Sequence, residues 1–394
     1  MHKLGLIAAF SMVLAACASD GMNGTDGMDG AAGAPGPGGA SGAQGPAGPQ
    51  LALPAVYTLT NATADNQVAA YLRSNGGNLS RKGSYVTTGA GLGRGLGSQG
   101  SLVFDTGSQR FFAVNAGDDT ISMLSIDTKG DLTAVATVAS GGTRPVSITV
   151  HDGIVYVVNQ GNANTSVDAS IAGFAVKGDR LEAIPGSIRP LSGSGDVHPT
   201  DIAFTPDGAF VIVAERFTSR LDTFAVVNGV AQAGNVQASA GMQPFAFDFS
   251  PDGFLVVAEV GTGAADGSTA SSYAISGTGV LSPITSALPT RQGAACWLVT
   301  AGGFAYIANA ASANITGLIV SESGELSLRD DTGITAQSSA GAIDLAVSPD
   351  HGYLYSLASG PHVINIYEIK ADGSLAAMPA LSGVPATAAG LVAR

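Results

Sequence analysis

From residue 51 onward, short apolar runs rich in β-branched residues alternate with polar turns, and the alternation itself repeats. It is cleanest at 110–132, RFFAVNAGDDTISMLSIDTKGDL. There an apolar run is followed by turn residues (Asn115 to Asp119), a half-buried alternating run (Thr120 to Ile126) and a glycine turn. The same second strand recurs as VYTLTN (56–61), RFFAVN (110–115), IVYVVN (154–159), FVIVAE (210–215), FLVVAE (254–259), FAYIAN (304–309) and YLYSLA (353–358), giving seven copies. Most are preceded by a strand ending in a tight turn, as in DIAFTPDG, FAFDFSPDG and DLAVSPDH, and followed by a third strand and a turn such as KGDL, TGVL, SGEL or DGSL. A short outer strand would complete each unit. A meander of this size cannot cover both its faces, so the repeats must stack. The pattern therefore predicts an all-β chain, a seven-bladed β-propeller over residues 51–394.

The ends of the array complement each other. The first repeat opens at Val56 with a second strand, whereas Ala386 to Arg394 read as an innermost strand with nothing after it. The C-terminal strand is expected to complete the first blade and close the ring, removing open sheet edges.

Residues 1–17, MHKLGLIAAFSMVLAAC, combine a basic start with an apolar stretch too short to span a membrane permanently, the pattern of an export signal. Leu14-Ala15-Ala16-Cys17 resembles the bacterial lipobox. The resemblance implies cleavage before Cys17, its lipidation, and a membrane anchor; Ala18, where inner-membrane lipoproteins carry Asp, implies the outer membrane. Within 18–50, glycine falls at every third position from Gly21 to Gly48, ten collagen-like Gly-X-Y triplets. This segment is expected to be a flexible spacer or, alternatively, a stalk that makes the protein a homotrimer.

Charge narrows the partners. With 17 basic and 30 acidic residues the formal net charge is −13, and there is no basic run, so a nucleic-acid partner is excluded. Beyond Cys17 the only cysteine is Cys296, read as a buried thiol, so no disulfide is expected. The histidines lack ligand spacing, and no metal or cofactor is expected. GLGSQG at 95–100 fits the dinucleotide glycine pattern, but the SLVFD that follows is strand-like and opens no helix to meet a pyrophosphate.

In a propeller, the start of each innermost strand and the end of each second strand open on one face near the axis. That places two rings there: Arg144, His198, Gln243 and Arg291 ahead of innermost strands, and Asn61, Asn115, Asn159, Glu215, Glu259 and Asn309 at second-strand ends. The asparagines suit turn caps. Glu215 and Glu259 break that pattern; a carboxylate there could act as general base toward water, with Arg144 or Arg291 stabilising an oxyanion.

The PDG turns at Pro206–Gly208 and Pro251–Gly253, the VYVVN-like second strands and the closing strand make residues 51–394 resemble the lactonase family of seven-bladed propellers. That family includes bacterial 6-phosphogluconolactonase and fungal carboxymuconate cyclases, and it overlaps the YVTN-repeat surface proteins. The resemblance implies a catalytic face on which His198, in DVHPTDIAFTPDG, and Glu259, in FLVVAEVG, match family positions. Where the lactonases carry an arginine-histidine pair, this chain reads Gln243-Pro244. Two readings follow: an envelope lipoprotein whose propeller face binds a ligand, glycan or protein partner, and an exported lactone hydrolase using His198 and Glu259 with Arg144 or Arg291.

Overall fold

Every apolar run of the repeat forms a strand in the computed structural model, which describes residues 53–193 and 195–394. The export signal, Cys17 and the Gly-X-Y segment lie outside the described residues. The strands assemble into seven antiparallel sheets of four or five strands, and the described residues contain almost no helix beyond a single turn at Ala163–Thr165. This is a seven-bladed β-propeller. The blades begin with the innermost strands Leu102–Asp105, Pro145–His151, Pro199–Phe204, Pro244–Phe249, Ala295–Ala301 and Ala342–Val347. In the remaining sheet Ala389–Ala393 occupies the innermost place and pairs antiparallel with Ala55–Leu59, so that sheet is built from both ends of the repeat array. Each innermost strand packs against the next around the axis.

Apolar burial between neighbouring sheets supplies the core. Tyr57, Phe111, Phe112, Ile148 and Val155 belong to one buried cluster spanning three blades, and burying each such side chain contributes roughly 1.5–3 kcal/mol. The glycine turns noted in the sequence have a packing reason. Those of TGVL, SGEL and DGSL, and Gly77 of the first blade, join the third and outer strands of one blade and receive a large side chain from the start of the previous blade's second strand: Phe210 against Gly279, Phe254 against Gly324, Phe304 against Gly373, Tyr353 against Gly77. All four glycines have positive φ, and a Cβ on Gly373 would lie 2.4 Å from the Phe304 ring. Only glycine satisfies both demands.

The innermost strands share one irregularity that positions side chains at the mouth of the channel. In five blades the pairing with the second strand skips a residue at its first step, a β-bulge, as between Pro145 and Ser147 or Pro199 and Asp201. The residue just ahead of the bulge is left-handed: Arg144 (φ 57°), His198 (φ 52°), Gln243 (φ 56°) and Ala294 (φ 54°). Its carbonyl accepts the N–H of the residue that follows the second strand, as His198 does from Arg216 at 3.2 Å and Arg144 from Gln160 at 2.8 Å. This clasp throws both residues onto the face where the innermost strands begin, called here the upper face.

Candidate functional site

Arg144 and His198, from adjacent blades, line one polar cavity of about 370 Å³ on the upper face, together with Arg94, Gln160 and Asp196. Arg144 Nη1 lies 3.3 Å from Gln160 Oε1, and Gln160 Nε2 lies 2.8 Å from His198 Nδ1. Chemistry orients this chain. A guanidinium only donates, so Gln160 must accept from Arg144 with its oxygen and donate to His198 with its nitrogen. Nδ1 of His198 is therefore an acceptor, and in the neutral ring the proton sits on Nε2. Burial holds the imidazole below its ordinary pKa, against the pull of Asp196, whose carboxylate is 3.6 Å away, and with the added push of Arg216 and Arg144. The ring is further fixed by stacking on Phe217, with centroids 4.5 Å apart and planes at 20°. The result is a neutral imidazole whose remaining N–H is a hydrogen-bond donor, flanked by Arg94 and Arg144.

Gln243 reaches this group indirectly. Its Oε1 accepts from Arg216 Nε at 3.1 Å, and the Arg216 guanidinium lies over the rings of Phe217 and Phe245. Arg291 stands elsewhere: it is exposed, and the pre-strand position in its blade belongs to Ala294. The sequence expectation misplaced it by three residues, because the bulge begins closer to the strand than its polar turn suggests.

The second ring is corrected more broadly. Asn115, Asn159, Glu215, Glu259 and Asn309 are fully buried and bond inside the body of the propeller, off the upper face. Asn115 Nδ2 donates to Ser122 Oγ (2.8 Å), Asn159 Nδ2 to the Ser140 carbonyl (3.2 Å), and Asn309 Nδ2 to Thr316 Oγ1 (2.8 Å). Glu215 accepts from the backbone N–H and hydroxyl of Ser192 and from Thr218 Oγ1. Glu259 accepts from Ser239 Oγ (3.1 Å), the Gly241 N–H (2.8 Å) and Thr269 Oγ1 (2.5 Å). Burial raises its pKa, and these donors offset that in part. Glu259 does not line the cavity that holds His198. The reason is strand alternation: the side chain at the end of the second strand turns inward to the segment leading in from the preceding blade, and the next residue points to the face. Gln160 and Arg216, one position after Asn159 and Glu215, occupy the places that the sequence assigned to their neighbours.

Asn61 has a different task. Its Oδ1 accepts from the Leu92 N–H at 2.8 Å, and its Nδ2 donates to the Arg94 carbonyl. It thereby anchors residues 92–100, the stretch containing the GLGSQG pattern. This segment crosses the axis. Ser98 Oγ donates to the Val146 carbonyl, the Ser98 carbonyl accepts from Trp297 Nε1 at 3.0 Å, and Gln99 meets Leu298 on the Trp297 strand and Thr200, Asp201 and Phe247 from two further blades. The glycines serve a channel crossing, and Arg94 is delivered to the upper cavity by it.

Residues 168–299 match a family model described as Lactonase, 7-bladed beta-propeller. The fold is lactonase-like. Among solved structures, the lactonase-like propeller aligns with a provisionally assigned 6-phosphogluconolactonase from Bacteroides fragilis at a TM-score of 0.68 and 18% identity, covering 86% of this chain and 98% of that one. A second, from Bacteroides uniformis, gives 0.67 and 18%, covering 86% and 99%. The periplasmic gluconolactonase of Pseudomonas aeruginosa gives 0.66 and 18%, covering 86% and 99%. No curated protein matches the chain in sequence. These likenesses concern the fold, and a propeller carries many chemistries.

Proposed function

We propose that this chain is a cell-envelope lipoprotein, anchored through Cys17, that presents its propeller as a binding module for a small oxygen-rich ligand, an aldonate or sugar acid, at the upper cavity. The observation that carries the binding site is the Arg144–Gln160–His198 chain. It presents the His198 Nε2–H and the guanidinium groups of Arg94 and Arg144 to a cavity that the Asp196 carboxylate also lines, and leaves no free ring nitrogen to take a proton. Such a set recognises carboxylate and hydroxyl oxygens. In this reading the Gly-X-Y segment is a spacer, and residues 384–394 hold the ring shut.

A second reading is lactone hydrolysis, supported by the likeness to proteins named as gluconolactonases. Here His198 and Arg144 would stabilise the oxyanion, and a base other than the sequestered Glu259 would be required. One experiment separates the two: thermal shift and hydrolysis assays of the full chain against a panel of aldonates, aldonolactones and acyl lactones, with Arg144→Ala beside the wild type. Binding of aldonates without turnover, lost in the variant, supports the module; lactone turnover lost in the variant makes the chain a hydrolase; neither result sinks both.

A further inference from the structure

The strap that crosses the axis makes the upper cavity a well with one mouth. Leu92, Arg94 and Leu96 line it, whereas Gln99 and Gly100 line a separate chamber of about 300 Å³ beneath. Any charge on an occupant must therefore be met from the walls, and the walls carry both signs. Arg94 and Arg144 bring guanidinium groups and Asp196 a carboxylate, and among the described residues no ion pair joins Asp196 to either arginine. Its ionisable neighbour is His198, with Nδ1 3.6 Å from Oδ1. That nitrogen already accepts from Gln160 Nε2 and, in the neutral ring, has no proton to give. The Asp196 side chain is 49% exposed, so water solvates it in the open well. An occupant that expels this water has to supply the donor instead.

We propose that the ligand of this well is an amino sugar acid, an aldonate with an ammonium group in place of one hydroxyl, its carboxylate held by Arg94 and Arg144 and its ammonium by Asp196. The inference rests on the upper-cavity reading and narrows its ligand. A plain aldonate brings its negative charge into a well where Asp196 opposes it, and its hydroxyls offer that carboxylate only neutral hydrogen bonds. An ammonium group removes the opposition and supplies a charge-assisted bond, roughly twice as strong. An amine without a carboxylate fares worst, because it leaves both guanidinium groups unmatched and adds a positive charge beside them. Each single-charge ligand is thus penalised by one wall, and the zwitterion by none. At about 370 Å³ the well has the size of a small-ligand pocket.

The test is calorimetry of the full chain at about pH 7 with gluconate, 2-amino-2-deoxygluconate and glucosamine. The amino acid form should bind about tenfold tighter than gluconate, and glucosamine more weakly than either. In Asp196→Asn the two acids should move in opposite directions: the amino form loses about tenfold and gluconate tightens about twofold, a split that a damaged site would not give. Arg144→Ala should weaken both. The wild-type comparison holds whether or not the variants fold, which circular dichroism checks. Gluconate or glucosamine bound as tightly as the amino sugar acid, or a preference that survives in folded Asp196→Asn, would overturn the inference and leave the upper-cavity reading standing. A wild-type chain that binds neither acid would overturn both.

Discussion

Gln160 Nε2 and His198 Nδ1, from neighbouring blades, meet at 2.8 Å, and Arg144 on the far side of Gln160 fixes which of them donates. The amide thus opposes protonation of the ring. Gln160→Leu removes that donation, so the His198 pKa should rise toward the ordinary histidine value, as read by an NMR titration of its ring protons. A His198 pKa unmoved in the variant would mean that burial alone sets it.

Glu259 is a structural group in this fold. Glu259→Ala strands the Gly241 N–H and two hydroxyls in the interior and should lower stability by about 3 kcal/mol. Aldonate affinity at the upper cavity should stay within about twofold of wild type wherever the variant remains folded. Chemical denaturation with ligand titration on the same samples checks both; a large affinity loss with unchanged stability would return Glu259 to the site.

Stability should fall as pH rises. Asp201 (about 7), Asp222 (about 8, raised by burial and by neighbouring Glu215) and Asp344 all bind protons more tightly folded than unfolded. The folded state therefore holds the extra protons, and the advantage present near pH 5 is lost as pH rises through 7 to 8. The melting temperature is expected to decline over that range and to decline less in Asp201→Asn. Asp372, held at about 2 by Ser374 and Arg329, acts in the opposite sense and only in strong acid.

Gly373→Ala combines a positive φ with a Cβ driven into the Phe304 ring and should cost roughly 2 kcal/mol or more, measured by urea unfolding. Gly277→Ala, which meets nothing within 4 Å and has no positive φ, should be close to neutral and serves as its control.

Truncation after Gly383 removes the strand paired with Ala55–Leu59 and the backbone bonds between Ala55 and Arg394. If that strand holds the ring shut, the shortened chain should melt at a markedly lower temperature with reduced cooperativity. An unchanged transition would show that contacts between blades suffice.

The strands were legible because burial on both faces of a blade imposes apolar runs, and the turn glycines because their φ and their aromatic neighbours admit nothing else. The site was legible in part. Arg144 and His198 stand ahead of proline-initiated strands, where the left-handed clasp repeats, and the structure brings them together. Gln160 and Arg216 were missed by one position, since a strand's last polar residue looks like the one facing the axis unless its phase is known. Arg94 and Asp196 lie in irregular loops with no period to betray them. Gln99 was passed over because its glycine-rich setting resembles a phosphate loop, and its contacts, up to 199 residues away in sequence, leave no local pattern.

Residues 92–100 turn what the propeller's symmetry would make a tunnel into two blind wells. A molecule that enters either well must leave by the same mouth, so the two cavities exchange with solvent separately and differ in lining: guanidinium and imidazole groups with the Asp196 carboxylate above, carboxyls and aliphatic side chains below. What couples them is a single strap of backbone. Gln99, held by Thr200, Asp201, Phe247 and Leu298, and Arg94 stand five residues apart on that strap, so the contacts that fix it below also set where the guanidinium sits above.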